Sequence, residues 1–248
     1  MLTIISPAKT LDFENDFGKI PASNPIFFNE KKQLIEAMKS LNINDLQDLM
    51  AISENLAKLN FARFQDFENQ PNRQAILAFD GDVYDGFDKK NFNKSDLDFL
   101  QNHLVILSGL YGLLRPLDSI QPYRLEMGTD FKKIKFICKN LYQFWGDKIT
   151  LEINKYDDEY LINLASNEYF LSINKKICNK KIIDIIFKEN KNNQYKIVGI
   201  SSKIARGLMT NFIIKNKINK IKDLSEFNLE NYQFSKNLSS ENQMIFIR

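Results

Sequence analysis

The chain has 248 residues, of which 44% are hydrophobic and 26% are charged, proportions typical of a globular protein with a full core. Its net charge of +3 is too small to demand a nucleic-acid partner, although a local basic patch is compatible with it. The two cysteines lie far apart in sequence without a histidine nearby, which argues against a disulfide framework or a zinc ribbon.

The amino-terminal sequence and the hydropathy predict a cytoplasmic protein. The first residues, MLTIISPAKTLDF, lack the basic start and the long apolar core of a signal peptide. No run approaches the roughly 18 apolar residues that a membrane span needs. We therefore expect no membrane partner, and we expect both cysteines to be reduced.

Short apolar runs predict the strands in chain order. The first run covers residues 2–5 and ends at Ser6-Pro7, and a second, fully apolar run covers residues 104–107. Further strands are predicted over residues 161–164, 182–188, 195–200, 232–234 and 243–247. The polar turn NKNNQ predicts that residues 182–188 and 195–200 form a hairpin.

Apolar residues at helical spacing predict the helices. Residues 30–40 form the first, and residues 44–50 and 53–60 form two short helices with a tight break. Ser95 is the expected cap of a helix that ends near His103, residues 140–155 are helical, and Ser201 or Ser202 caps residues 203–217. Strands and helices mix without a strict alternation, so we expect an α+β or mixed α/β fold.

The segment LSGLYGLLRPLDSIQPYRLEMGT, residues 107–129, is the strongest candidate for a functional site. It follows an apolar strand, turns at glycines and then presents polar side chains, as α/β proteins do at the carboxyl ends of strands. The alternative is a well-packed loop with ordinary ion pairs. The candidate site residues within it are Ser108, Tyr111, Arg115, Tyr123, Arg124 and Glu126.

A serine and a lysine follow the first predicted strand. The sequence from Ser6 to Thr10 ends in a Lys-Thr pair, but it lacks the glycines of a nucleotide-binding loop, so nucleotide hydrolysis is not expected. Ser6 and Lys9 can still hold a single phosphate at a strand end. The alternative for Lys9 is a surface lysine after a proline turn.

Residues 80–86 read DGDVYDG, but this is not a calcium loop. Tyr84 occupies the fifth position, where an EF-hand needs an oxygen ligand. Asp82 and Tyr84 are instead candidates for a polar cleft, in which Asp82 acts as a general base or orients an arginine. The alternative is that these residues only form a turn.

Lys203 and Arg206 share one face near the predicted start of a helix. Two cations at the positive end of a helix are unfavourable, and a bound anion offsets that cost. The pattern therefore predicts that this helix start faces a phosphate. The alternative is a solvated basic face.

Residues 46–59, LQDLMAISENLAKL, match a helix-hairpin-helix motif in degenerate form. Ala51 and Ser53 stand where that motif has glycines, and Ser53 and Lys58 are its candidate phosphate contacts. The alternative is an ordinary helical hairpin. His103 is the only histidine, so metal or Ser-His-Asp chemistry is not expected.

Six segments together resemble the YaaA peroxide-stress proteins of bacteria. They are spread over the whole chain and read SPAKTLDF, FDGDVYDGFD, LSGLYGLLRPLDSIQPYRLEMGT, WGD, NLASNEYF and SKIARGLMTNFI.

The resemblance implies a cytoplasmic protein that protects DNA during hydrogen peroxide stress and lowers free intracellular iron. It also implies a single domain over residues 1–248, a helix-hairpin-helix-like element at about residues 44–60, and binding of duplex or branched DNA. No cofactor and no tightly bound metal are expected, because the sequence has no redox cysteine pair, no haem or flavin signature and no iron-ligand cluster. Carried over residue by residue, the positively charged cleft is lined by Lys9, Asp82, Tyr84, Arg115, Tyr123, Arg124, Glu126, Lys203 and Arg206.

Two functions remain open at this stage. The first is a DNA-binding protein whose cleft and hairpin contact phosphates with little base readout. The second is an enzyme that acts on a nucleobase or nucleotide in the same cleft, with Asp82 or Glu126 as the acid or base. A binder tolerates loss of these carboxylates, whereas an enzyme loses turnover.

Overall fold

The computed structural model describes residues 1–132, 134 and 136–248. Its strands are β1 (Leu2–Ile5), β2 (Thr10–Leu11), β3 (Arg73–Gln74), β4 (Phe79–Asp80), β5 (Leu104–Ser108), β6 (Gly112–Leu114), β7 (Ser119–Ile120), β8 (Tyr160–Asn163), β9 (Lys181–Lys191), β10 (Gln194–Lys196), β11 (Gln233–Phe234) and β12 (Gln243–Ile247).

The helices lie between these strands along the chain, without strict alternation. They are α1 (Phe28–Lys39), α2 (Ile43–Met50), α3 (Glu54–Gln65), α4 (Ala75–Ala78), α5 (Lys94–His103), α6 (Leu141–Trp145), α7 (Lys148–Ile153), α8 (Asn167–Phe170) and α9 (Gly199–Lys215). Short 3-10 helices cover Phe67–Asn69, Tyr84–Gly86, Lys89–Asn91, Ile221–Glu226, Leu229–Asn231 and Lys236–Leu238. Within the described residues, no helix is both long and apolar enough to cross a membrane.

A mixed sheet forms the centre of the fold, with the order β11-β12-β9-β8-β1-β5-β6, and β10 pairs with the far end of β9. The strands from β12 to β5 run parallel to their neighbours, whereas β6 and β11 are antiparallel edges. Every residue of β1 and β5 is buried, because helices and loops cover both faces of a parallel sheet. The predicted mixed α/β fold is therefore confirmed.

The strands that come from continuous apolar runs were predicted well. Residues 2–5 form β1, residues 104–107 lie within β5, and residues 161–164 overlap β8. The predicted hairpin is formed by β9 and β10, but β10 ends at Lys196, and residues 199–200 of the predicted second strand belong to α9. Strands β1, β5, β8 and β9 contribute to one large hydrophobic core cluster, whereas every residue of β10 is exposed.

Several helix boundaries differ from the predictions. Residues 140–155 are two short helices, because Gly146 adopts a left-handed φ of 48° between α6 and α7. Asn93, not Ser95, caps α5, since its side chain accepts from the Asp96 amide while the Asp96 carboxylate accepts from the Asn93 amide. Helix α9 begins earlier than predicted, at Gly199 after an extended Val198, so neither Ser201 nor Ser202 is its cap.

Candidate functional site

Three serines lie at the carboxyl-terminal end of the parallel strands. Ser6 follows β1, Ser108 ends β5, and Ser166 lies just beyond β8. The backbone N–H of Ser166 donates to Ser6 Oγ at 2.8 Å, and the Ser6 hydroxyl donates to Ser166 Oγ at 3.2 Å. Strands β5 and β8 flank β1 on opposite sides, so the chain connections diverge at the carboxyl ends of these strands. The crevice formed where connections diverge is the usual ligand site of an α/β sheet.

Two buried tyrosines anchor loops to these strand ends. The Tyr84 hydroxyl donates to the carbonyl oxygen of Ser6 at 2.9 Å, and the Tyr123 hydroxyl lies 2.7 Å from Ser108 Oγ. Burial raises the pKa of both tyrosines, so both hydroxyls stay protonated at neutral pH. Both rings pack against Phe79 in the core, so their faces are not open for stacking on a nucleobase.

Glu126 bridges two cations that come from different parts of the chain. Its carboxylate lies 2.9 Å from Lys9 Nζ and 2.8 Å from a terminal nitrogen of Arg124. Gly109 makes this arrangement possible, because a Cβ atom there would lie 2.2 Å from the carbonyl oxygen of Leu125. The Nε–H of Arg124 is buried and has no hydrogen-bond partner among the described residues. The cluster therefore retains an unused cationic donor.

A second ion pair lies on the neighbouring loop. Strand β2 pairs with β4, which places the loop of Lys9 beside the loop of Asp82. Helix α9 packs tightly against the latter, since a Cβ atom at Gly207 would lie 1.9 Å from the carbonyl oxygen of Val83. This contact brings Lys203 Nζ to 3.8 Å from the Asp82 carboxylate, with both side chains about half exposed.

Arg206 lies one turn further along α9 than Ser202. Burial lowers the pKa of its guanidinium, and its Nε–H has no partner among the described residues. The buried Ser202 hydroxyl is also unpartnered there. The helix start predicted after Ser202 is wrong, because α9 begins at Gly199, so Lys203 and Arg206 follow its first turn.

The helical hairpin lies against the same cluster. Met50 and Ala51 share the lining of a cavity of about 400 Å³ with Arg124, Glu126 and Glu168. The prediction of two short helices with a tight break is confirmed, since residues 51–53 join α2 to α3. Ala51 ends α2 with a left-handed φ of 50°, a conformation that favours glycine.

Comparison with known proteins decides the family. The sequence profile of the family described as "Peroxide stress protein YaaA" matches residues 1–238. The chain belongs to the YaaA peroxide-stress family. A protein of Francisella philomiragia, described as a UPF0246 protein, is 45% identical over 257 aligned positions that cover 100% of both chains. The resemblance inferred from the six segments is therefore confirmed.

Arg115 of this YaaA-family chain lies far from the other cleft candidates. Strand β6 runs antiparallel to β5, so Arg115, which follows β6, lies towards the amino-terminal end of β5, whereas Ser108 lies at its carboxyl-terminal end. The Arg115 guanidinium lies 2.8 Å from the buried Asp118 carboxylate and donates to the carbonyl oxygen of Asn24 at 2.9 Å. The structure does not bring Arg115 together with Arg124.

Three further candidates also have structural partners. Tyr111 is fully buried, its hydroxyl donates to Gln121 Oε1 at 3.0 Å, and its ring centre lies 5.3 Å from that of Tyr123. Ser53 caps α3 by accepting from the Leu56 amide at 3.4 Å. Lys58 pairs with Glu54 at 2.6 Å on the exposed surface of the same helix.

Ser166 and Glu168 are site residues to which the sequence analysis gave no role. The Glu168 carboxylate accepts from the backbone N–H of Gly128 at 2.9 Å and lines the cavity beside Arg124. Both residues follow β8 in the family segment NLASNEYF, so the strand-end rule that selected Ser6 also selects them. Among residues 1–132, 134 and 136–248, no three His, Cys, Asp or Glu residues lie close enough together to hold a metal ion.

Proposed function

We propose that this peroxide-stress protein binds DNA through the edge of the sheet where Lys9, Arg124, Lys203 and Arg206 gather, and thereby protects DNA from oxidative damage. Here the cleft means these four residues together with Ser6, Asp82 and Glu126. The single observation that carries the proposal is this concentration of cations around the carboxylates of Glu126 and Asp82. We place the protein in the cytoplasm as one domain over residues 1–248.

Electrostatics supports a phosphate partner for these cations. Lys9 and Lys203 are exposed, and their ammonium groups can donate charge-assisted hydrogen bonds to phosphate oxygens. Exposed ion pairs such as Lys203 with Asp82 contribute only about 0–1 kcal/mol, so a phosphate can exchange for the carboxylate at low cost. Such contacts position a backbone and carry little sequence preference, which suits duplex or branched DNA.

The hairpin between α2 and α3 supplies a second contact in this proposal. It lines the same cavity as Arg124, and the amino end of α3 presents backbone N–H groups at Ser53. Asp45, Asp48 and Glu54 lie on the hairpin helices and oppose an approaching phosphate. We therefore assign the larger share of the affinity to the cleft and the smaller share to Ser53 and Lys58.

A direct binding experiment tests the proposal. Fluorescent duplex, single-stranded and four-way-junction DNA are titrated with the wild type and with a Lys9→Gln/Lys203→Gln variant at low salt. The matched control is Lys32→Gln/Lys236→Gln, which removes two exposed lysines outside the cleft. We expect the cleft variant to lose at least about tenfold in affinity and the control to lose little. Equal affinities in the two variants would refute the cleft as the DNA site.

One observation favours an enzyme that acts on a nucleobase or nucleotide as the alternative. Glu126 lies beside a cavity of about 400 Å³, within the range of small-molecule sites. In this alternative Glu126 or Asp82 is the acid or base, and Lys9 and Arg124 hold the phosphate. Incubation with nucleotides and modified bases, followed by chromatography, separates the two functions. An enzyme loses turnover in Glu126→Gln and Asp82→Asn while it keeps ligand affinity.

The lowering of free intracellular iron is part of the proposal through the family role. Because no three potential ligands converge in the described part of the chain, we assign this effect to an indirect route and not to iron storage. Cells that carry the Lys9→Gln/Lys203→Gln variant are the test. The chelatable iron level after peroxide exposure should rise if DNA binding and iron control are coupled, and it should stay at the wild-type level if they are separate.

A further inference from the structure

A second polar cavity lies beside Lys31 in the first turn of α1. Its volume is about 470 Å³, and it shares no lining residue with the cavity beside Glu126. Phe28 and Lys31 of α1 form one side, and Ser119 and Gln121 form another. The space is within the range that small-molecule sites occupy.

Lys31 is a half-buried cation without an anionic partner among the described residues. Its Nζ atom lies 5.2 Å from the ring centre of Phe28, 5.9 Å from that of Phe67 and 5.8 Å from that of Tyr111. This ammonium group forms neither an ion pair nor a hydrogen bond with any residue that the structure describes. Burial lowers the pKa of the amine, and the charge of Glu68 works in the opposite direction. Aromatic rings stabilise the charge but accept no directional hydrogen bond.

Amide and hydroxyl groups around the cavity also keep free hydrogen-bonding capacity. Gln121 Oε1 accepts from the Tyr111 hydroxyl at 3.0 Å, which fixes the amide and leaves its Nε2 without a partner among the described residues. The side chains of Asn24, Asn72 and Ser119 likewise have no hydrogen-bond partner within that part of the chain. The cavity therefore contains several donors without a protein partner, next to a positive charge that forms no direct ion pair with the described residues.

The Phe28 ring supplies a flat apolar surface at the same place. It is 62% exposed, although it lies directly beside the Lys31 ammonium group. An exposed ring next to a cation is suited to a ligand that combines a planar group with a negative charge.

We propose that this cavity binds a small planar organic anion, whose carboxylate or phosphate contacts Lys31 and Gln121 Nε2 while its ring packs on Phe28. The anion supplies the acceptor oxygens that the lysine lacks in the protein alone. This site is independent of the DNA-binding cleft, because none of its residues belongs to the cleft.

Calorimetric titration of the purified protein tests this site. The probes are benzoate, phenyl phosphate, inorganic phosphate and the uncharged benzamide. Lys31→Met removes the charge and keeps the apolar stem, and Lys32→Met on the exposed side of α1 is the matched control. We expect millimolar or tighter binding of at least one aromatic anion, with a loss of about tenfold or more in Lys31→Met only.

A second variant keeps the test decisive if Lys31→Met is poorly folded by circular dichroism. Gln121→Glu retains the acceptor for Tyr111 but places a negative charge in the cavity, so it should weaken binding of both aromatic anions. The ratio of benzoate to phenyl phosphate affinity then identifies the anionic group. Absence of binding by both aromatic anions, equal binding in Lys31→Met, or equal binding of benzamide would overturn the proposal.

Discussion

The carboxylate of Glu126 lies 2.9 Å from the ammonium group of Lys9 and thereby joins the segment after β7 to the loop after β1. Arg124 contacts the other oxygen of the same carboxylate at 2.8 Å. In the protein alone, this carboxylate therefore occupies the place at which we propose that DNA phosphates bind. Glu126 competes with DNA for the two cations.

Replacement of Glu126 by glutamine tests this competition. The variant keeps the size of the side chain and removes its charge, so we expect duplex DNA to bind about 2–5-fold more tightly, as befits a partly exposed ion pair. The measurement is a fluorescence anisotropy titration at constant salt. The matched control Glu36→Gln, on α1, should leave the affinity unchanged. Weaker DNA binding by Glu126→Gln would contradict the competition.

The close contact of Gly207 with Val83 should hold the part of α9 that carries Lys203 and Arg206 in place. A Cβ atom at this residue would lie 1.9 Å from the carbonyl oxygen of Val83, so Gly207→Ala should destabilise the fold by about 1–3 kcal/mol. Gly199→Ala is the control in the same helix, because nothing lies within 4 Å of the added atom. Urea unfolding measures both. Helix propensity alone predicts that alanine stabilises this position. If Gly207→Ala has a higher free energy of unfolding than the wild type, the close contact with Val83 is absent.

Ala51 should be a position where glycine stabilises the protein. Its left-handed φ of 50° costs an L-residue about 1 kcal/mol, so Ala51→Gly should raise the free energy of unfolding by somewhat less than that. The same change at Ala37, inside α1, should lower the free energy of unfolding by about 0.5–1 kcal/mol. If urea unfolding shows that both substitutions change the free energy of unfolding in the same direction, the left-handed turn at Ala51 is contradicted.

The lowered pKa of the Glu189 carboxyl group predicts how the free energy of unfolding changes in acid. Hydrogen bonding by Ser201 and contacts with Arg248 and Lys191 lower the pKa of this carboxyl from 4.5 to about 2. A folded-state pKa below the unfolded one stabilises the protein above pH 4.5, and this stabilisation is lost as the pH falls towards 2. Glu189→Gln should therefore flatten the decline of unfolding free energy between about pH 5 and pH 2. If the unfolding free energy of Glu189→Gln falls with pH as it does in the wild type, other carboxyl groups cause the loss of stability in acid.

The sequence predicted those parts of the fold that depend on local patterns. A short β-prone run identified β1 and a fully apolar run identified β5, because strands buried on both faces of a parallel sheet need no alternation. The strand-end rule then selected Ser6 and Ser108, which do lie at one edge of the sheet. It could equally have selected Ser166, which follows β8.

Other features depend on contacts between distant residues and could not be predicted. Arg115 and Arg124 are close in sequence, but the antiparallel turn into β6 carries Arg115 to the opposite edge, where the buried Asp118 binds it. The start of α9 depends on the extended backbone at Val198, which no local cap residue signals. The close approach of Gly207 to Val83 is likewise visible only in three dimensions.

The salt dependence of duplex DNA binding tests the central claim most directly. Dissociation constants are measured over a series of salt concentrations for the wild type, Lys9→Gln/Lys203→Gln and the control Lys32→Gln/Lys236→Gln. Removal of one lysine that binds a DNA phosphate should reduce the slope of log affinity against log salt by about 0.9, so the cleft variant should differ by about 1.8 and the control by nearly zero. Equal slopes for the wild type and the cleft variant, or no binding by the wild type, would contradict the account.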